Sequence, residues 1–428
     1  MKVSANCWTD RKEVLSNGLR VVTAHMPHTR SVTIAVFVGA GSRQESTEKS
    51  GVFHFIEHMC FKGTTLRATP REVSGAIEGV GGILNAATDK ELSVYWCKVA
   101  LPYLPLALDV LSDMICHSKF DLDDIESERR VIIEEINLSH DSPQCQVDLL
   151  VDEILWPNHP LGRDIAGCKE TVSTLSRLDM CEHLSRQYVP NNTVIAVAGN
   201  VDHSEVVNRI EDSFGEWKPG QLLNWDTALD ALELPSYRIE TRDTEQVHLC
   251  LAVKGPALVH PDRFIFDMLN VVLGQGMSSR LFMEIRERLA LAYAIHSSVD
   301  HFLDSGCLGI YAGVSPSCFE QATVAILAEL SRLRDGVSEA ELARAKELCK
   351  GQLALRMEDS HEVASWLGGQ ELLLNKTMTV DEATEIVESI SLDQLQRVAR
   401  DTLVSDKLSL AAVGPIVNGI DIGKILKV

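Results

Sequence analysis

The tightest constraint on what this 428-residue chain can fold into is that it repeats itself. Residues 32–40, VTIAVFVGA, form an apolar run that ends in glycine. Residues 247–255, VHLCLAVKG, have the same shape 215 positions later. The segments 193–199, TVIAVAG, and 408–414, LSLAAVG, stand at the same shift, glycine against glycine. The copies share pattern more than identity, which is how a duplicated supersecondary unit reads after divergence. Two similar halves of about 210 residues follow, each long enough to bury a core of its own.

Each half mixes strands with long helical patterns. In the first half an amphipathic segment (51–62) and a helix (70–79) precede strand material at 83–99. Helical stretches near 101–118 and 122–139 come next, and Pro190-Asn-Asn introduces the closing strand. This order predicts an α+β class: two structurally similar domains, each a mainly antiparallel β-sheet with helices packed on one face. Pro219, Gly220 and Pro235 mark a linker between 218 and 236, which sets the domains at 1–218 and 236–428.

Charge narrows the partners. Lys and Arg total 40 against 61 Asp and Glu, a formal net charge of −21. Such a chain repels phosphate backbones, so nucleic acid is not an expected partner. No run of about 18 apolar residues is present, so no membrane span is expected. The first twenty residues contain no apolar run of signal-peptide type. The eleven cysteines, from Cys7 to Cys349, form no CxxC pair. Cys60, Cys97, Cys116, Cys250 and Cys349 sit among apolar neighbours and read as reduced core thiols of a cytoplasmic protein.

Chemistry concentrates in one short string, His54-Phe-Ile-Glu57-His58. On a helix, residues four apart share a face, so both imidazoles can converge on one ion. Glu57 projects beside them, able to act on a water without being a ligand. A catalytic zinc keeps three protein ligands and one open position, so a third ligand is required. The helical pattern 121–140 offers candidates. With Ile132 at the centre of the inner face and about 100° per residue, Ile125, Glu128, Arg129, Glu135 and Ile136 fall on that face, whereas Glu134 points away. Glu128 and Glu135 are therefore carboxylates on an apolar stripe, where an unpaired charge is costly. Periodicity does not rank one above the other.

The repeat tests the idea. The 215-residue shift sets Leu269 opposite His54, Val272 opposite Glu57 and Leu273 opposite His58, and places Lys350 to Gln352 around the counterpart of Glu135. A scaffold role for the histidines would more readily appear in both copies. Other signals are weaker. Gly79-Val-Gly-Gly lacks the spacing of a phosphate loop, and His117, His140, His159, His183 and His361 stand alone.

HFIEHMCFKGT (54–64) together with ERRVIIEEI (128–136) resembles the inverted-motif zinc peptidases of the pitrilysin/insulinase family, on the branch of mitochondrial processing peptidase and its bacterial homologues. Further likenesses run along nearly the whole chain: Asn17-Gly-Leu-Arg-Val, Gly39-Ala-Gly-Ser-Arg, Asn85-Ala-Ala-Thr88, Tyr188-Val-Pro-Asn-Asn, and Arg280-Leu-Phe with Tyr293. The resemblance implies a processing peptidase-like fold and one zinc ion per chain, bound by His54, His58 and Glu135. The 77-position step from His58 to Glu135 agrees with the family spacing. It further implies that Glu57 is the general base that takes a proton from the attacking water, and that Glu128 orients or tunes the site from behind. Asn85 and Ala86 would lie on an edge strand to which substrate adds as an extra strand. Arg286 and Tyr293, seven apart and so on one face if their segment is helical, resemble the pair that contacts substrate and stabilises the tetrahedral intermediate. Gly274-Gln-Gly-Met resembles the family's glycine-rich loop. Ala290 stands where relatives often have glycine.

The expected function is a zinc metalloendopeptidase that hydrolyses peptide bonds of oligopeptides or unfolded protein segments. Relatives enclose four such domains and this chain has two. The resemblance therefore implies a homodimer, or a pair with a related paralogous subunit, in which Arg286 and Tyr293 serve the partner's site. The rivals are a catalytically inactive scaffold or assembly subunit of the same family and a purely structural zinc protein. The first usually loses part of the motif, which is complete here, and the second has no use for Glu57.

Overall fold

A computed structural model of the chain describes residues 8–228, 236–416 and 421–427. Of the 218–236 linker, residues 229–235 lie outside the described residues, as does Cys7.

The first sheet is built from β1 (Thr9–Val14), β2 (Arg20–His25), β3 (Ser31–Val38), β4 (Ile83–Thr88), β5 (Ser93–Ala100) and β6 (Thr193–Gly199). Its order is β1-β2-β6-β3-β5-β4, antiparallel except for the β2–β6 pair. The second sheet uses β7 (Ser236–Glu240), β8 (Val247–Lys254), β9 (Ala292–His301), β10 (Gly306–Val314) and β11 (Leu408–Val413). Its order is β7-β11-β8-β10-β9, antiparallel except for β7–β11. Both are mainly antiparallel sheets in an α+β fold, as the sequence pattern predicts.

The repeat extends to hydrogen-bond register. Val38 pairs with Thr193 across β3–β6, and Val253 pairs with Leu408 across β8–β11, both partners moved by 215. Val38 pairs with Ser93, and Val253 with Leu308, at the same shift. A one-residue slip would turn the apolar set to the wrong face, so this agreement means that both sheets bury the same positions.

In each sheet one face carries the main helical layer. Ile34, Val36 and Ile195 of the first sheet pack with Phe53, Phe55, Ile56 and Met59 of the helix Val52–Cys60 and with Ile125, Ile132 and Ile136 of the helix Leu122–Asp141. Leu249, Leu251 and Leu410 of the second sheet pack with Phe266, Leu269 and Leu273 of the helix Arg263–Gly274.

The opposite face of each sheet is also covered, by a helix drawn from the other half of the chain. Val363, Ala364 and Leu367 of the helix Ser360–Leu374 bury Ala35, Phe37 and Ala196 of the first sheet. Gly368 is required there, because a Cβ would stand 2.2 Å from the Phe37 ring. In mirror fashion Val147, Leu150 and Val151 of the helix Pro143–Leu155 cover Cys250, Ala252 and Ala411 of the second sheet. One compact unit therefore takes the described residues up to Ile136, Asp164–Asp226 and Leu353–Glu382. The other takes Asn137–Arg163, Thr227–Gln352 and the residues from Ala383 onward. Division at 1–218 and 236–428 follows chain order and misses this exchange. Periodicity shows that a helix has an apolar face, not which sheet will bury it.

Among the described residues no helix is long and apolar enough to cross a membrane. Ten cysteines among the described residues are free thiols, with Cys60, Cys97, Cys250 and Cys307 buried. Burial pushes the thiols of Cys60 and Cys97 up to about 12, which makes them inert packing residues.

Candidate active site

The helix Val52–Cys60 starts at Gly51, whose φ of 92° is a left-handed value that glycine adopts freely. A Cβ at Gly51 would also lie 2.5 Å from the carbonyl oxygen of Ala166. The carboxylate of Glu45 accepts the Gly51 and Phe53 N–H groups at 2.8 and 2.9 Å, which fixes this end and suits the helix dipole. Val52, Phe53, Phe55, Ile56, Met59 and Cys60 are buried in the core. The remaining arc carries His54, Glu57 and His58, each half-buried.

On the helix Leu122–Asp141 the inner face holds Ile125, Glu128, Ile132 and Ile136, all buried, while Glu134 is exposed. Structure separates the two inner carboxylates that periodicity left unranked. The Glu135 side chain keeps 44% of its surface open and the Glu128 side chain only 6%. Glu135 Oε2 stands 3.8 Å from His54 Nε2 and 3.5 Å from His58 Nε2, and one ligand atom from each residue lies within 4.8 Å of the others. Ligands about 2.0–2.2 Å from a tetrahedral zinc stand about 3.4 Å apart, so the three donors fit such an ion.

Behind them Glu128 faces the other ring nitrogen, 3.1 Å from His58 Nδ1. Its second oxygen pairs with Lys62 Nζ at 2.5 Å. A carboxylate at Nδ1 places the ring proton there, which leaves the Nε2 lone pair toward Glu135. His54 is held neutral by its surroundings. Burial, with His58 beside it, pushes its imidazole down to about 4. Its Nδ1 is buried and has no hydrogen-bond partner among the described residues.

Glu57 projects beside the trio. Burial raises its carboxyl above the usual range, opposed by the hydroxyl and N–H of Thr88 and by His58. Thr88 Oγ1 donates to Glu57 Oε2 at 2.5 Å. Lys62 and Thr88 were both missed as candidates in the sequence. Their signals were present, since Lys62 stands one turn after His58 and Thr88 shares strand parity with Ala86.

Asn85 and Ala86 lie on β4, which among the described residues is the edge of the first sheet, paired with β5 through Trp96 and Tyr95. Asn85 is exposed and Ala86 half-buried, so the backbone beside them is a free strand edge.

Arg286 and Tyr293 belong to the second unit and do not share a helical face. The helix widens to a π-helix over Phe282–Arg288 and stops, Ala290 takes a φ of 52°, and Tyr293 stands on β9. The two residues still meet: the Arg286 guanidinium lies 5.0 Å from the Tyr293 ring centroid and 4.7 Å from that of Phe282. A left-handed residue at 290 turns the chain from helix to strand, in a conformation that glycine adopts more readily than alanine.

The family described as "Insulinase (Peptidase family M16)" matches residues 20–169, and "Peptidase M16 inactive domain" matches residues 174–349. A Bacillus subtilis (strain 168) protein named "Uncharacterized zinc protease YmxG" is 36% identical over 410 residues, covering 95% of this chain and 98% of that one. The chain belongs to the insulinase family, M16. Among solved structures, the crystal structure of a protease from Helicobacter pylori has a TM-score of 0.90 at 23% identity, covering 95% of this chain and all of that one. A chain of Complex III2 from Candida albicans has a TM-score of 0.84 at 22% identity, covering 97% and 98%. These two likenesses concern the M16 fold. The stretch matched by the inactive-domain description includes Leu269, Val272 and Leu273, which replace the His/Glu/His set in the second copy.

Proposed function

We propose that this M16 protein is a zinc-dependent metalloendopeptidase acting on oligopeptides or unfolded segments, with one ion per chain held by His54, His58 and Glu135. The observation that carries the reading is the convergence of these three donors beside a further carboxylate, Glu57, that is not one of them. Zinc at this position supplies Lewis-acid polarisation of a carbonyl and makes a water acidic near neutral pH. Glu57 accepts the proton of the attacking water and passes it to the leaving amine. Glu128, its charge balanced by Lys62, keeps the His58 proton on Nδ1. Substrate joins the free edge of β4 in extended form along Asn85 and Ala86, which favours chains without structure of their own. Arg286 and Tyr293 form a cation and hydroxyl pair suited to hold substrate and its tetrahedral oxygen.

The working form is a homodimer in which that pair serves the partner's site, or a pair with a related subunit. The free thiols suit a reducing cytoplasm. A panel of unstructured peptides, incubated with and without chelator and read by mass spectrometry, tests the activity. Chelator-sensitive cleavage supports it, and no cleavage by zinc-loaded protein favours the scaffold-subunit reading. Mixing Glu57→Gln with Arg286→Ala protein tests the trans arrangement. Partial recovery of activity is expected, and none would place the pair in cis.

A further inference from the structure

We infer that Thr88 is a positioning residue for Glu57, so that the strand proposed to receive substrate also sets where the base stands. This deepens the peptidase reading above and rests on it. The Thr88 hydroxyl lies 2.5 Å from Glu57 Oε2. A threonine hydroxyl carries one proton, and a carboxylate can only accept it. Ser93 Oγ stands 3.3 Å from Thr88 Oγ1 but 2.7 Å from the carbonyl of Ala40, so the shorter contact takes the serine proton. The threonine proton is thereby committed to Glu57.

Placement makes the contact more than local. Leu84, Ala86 and Thr88 are the half-buried positions of β4, alternating with exposed Ile83, Asn85 and Ala87. Thr88 is the last residue of the strand, paired with Ser93, and the turn beyond it is closed by Asp89 N–H to the Leu92 carbonyl at 2.8 Å. A strand end clamped by a tight turn is a stiff support for a neighbouring group. A peptide added to the edge of β4 takes its register from this same strand, at about 3.3 Å per residue. One rigid element then sets both the scissile bond and the carboxylate that must meet its water. Packing alone would accept valine at 88, which matches threonine in shape and suits a strand at least as well. Only the hydroxyl serves Glu57.

The test compares wild type, Thr88→Val and Thr88→Ser for peptide cleavage, with bound zinc measured by atomic absorption. Misplacing a reacting group by about 1 Å costs about 100-fold. Thr88→Val should therefore keep zinc and a KM within about twofold while kcat falls about 10- to 100-fold, and Thr88→Ser should recover most of it. An unchanged kcat in Thr88→Val, or no recovery with serine, overturns the inference. A second readout needs no activity. In metal-free protein, Thr88→Val should lower the urea midpoint in the wild-type background and less in Glu57→Ala. Equal shifts would also overturn it. Zinc-loaded wild type that cleaves nothing overturns the peptidase reading instead, and the cycle then judges the Thr88–Glu57 contact by itself.

Discussion

The two units have sheets of equivalent register, yet one helix position has been put to opposite uses. In the first unit the helix Val52–Cys60 turns His54, Glu57 and His58 to a half-open arc. In the second, the helix Arg263–Gly274 has Leu269, Val272 and Leu273 at the equivalent places, all at most 1% exposed. The sheet below does not depend on the difference, since both copies keep the same strand pairs. The second unit therefore represents what the scaffold does when folding alone is served: three apolar side chains go inward, each worth about 1.5–3 kcal/mol. The first unit forgoes that stabilisation, and the site geometry is the compensating reason.

Experiments can break this contrast. The largest effect is expected at Glu57. Glu57→Gln should retain zinc and lose peptide cleavage by about 100- to 10,000-fold, the usual contribution of a general base. A rate near wild type would remove the functional reason for the difference between units. Next comes the reverse change. Leu273→His should destabilise the protein by about 3 kcal/mol in denaturant unfolding, because it buries an unpaired imidazole. No zinc should bind there, since Lys350 occupies the counterpart of Glu135 and pairs with Glu347 and Glu388. A neutral result would mean that the second unit tolerates the site as readily as the first. Smaller still, Glu128→Gln should lower zinc affinity or cleavage about 10- to 100-fold, measured by competition with a chelating dye.

The smallest effect concerns charge in the second unit alone. Hydrogen bonding to the Arg280 guanidinium, at 2.7 Å, with help from Ser338, holds the Glu341 carboxyl down to about 2 from 4.5. A folded value below the unfolded one stabilises above pH 4.5, and the gain is lost as pH falls through about 2. The stability gap between wild type and Arg280→Ala should be at most about 1 kcal/mol and should close over that window. Its first-unit counterpart, Glu126, pairs with Arg129 on the exposed side of its own helix, so the change should leave that unit untouched.

Some of this was legible without coordinates in space. The repeat predicted two sheets, and the replacement of His54, Glu57 and His58 by Leu269, Val272 and Leu273 in the second copy pointed to the first for the proposed chemistry. Helical periodicity put Glu128 and Glu135 inward and Glu134 outward; Glu128 is buried, Glu135 half-buried and Glu134 exposed. It could not separate the inner two, because a helical wheel has no radial coordinate. Only depth, 6% against 44% open, tells the carboxylate that orients His58 from the one among the donors. Arg286 and Tyr293 were paired by a helical spacing that the chain does not keep. A single left-handed residue, Ala290, ends that periodicity, and side-chain stacking restores the contact by a different path.

The order of residues is enough to specify the local patterns: strands, amphipathic helices, the His54-x-x-Glu57-His58 face, and a second copy without it. These follow from neighbours along the chain, and period and propensity express them. Long-range packing sets which sheet each helix covers, which of two carboxylates stands by both Nε2 atoms, and that Thr88 meets Glu57. Each of these depends on atoms far apart in sequence meeting at distances of a few ångströms, and no local period encodes such a meeting. The reciprocal helices Pro143–Leu155 and Ser360–Leu374 are the clearest instance, alike in pattern yet each buried against the sheet of the other half.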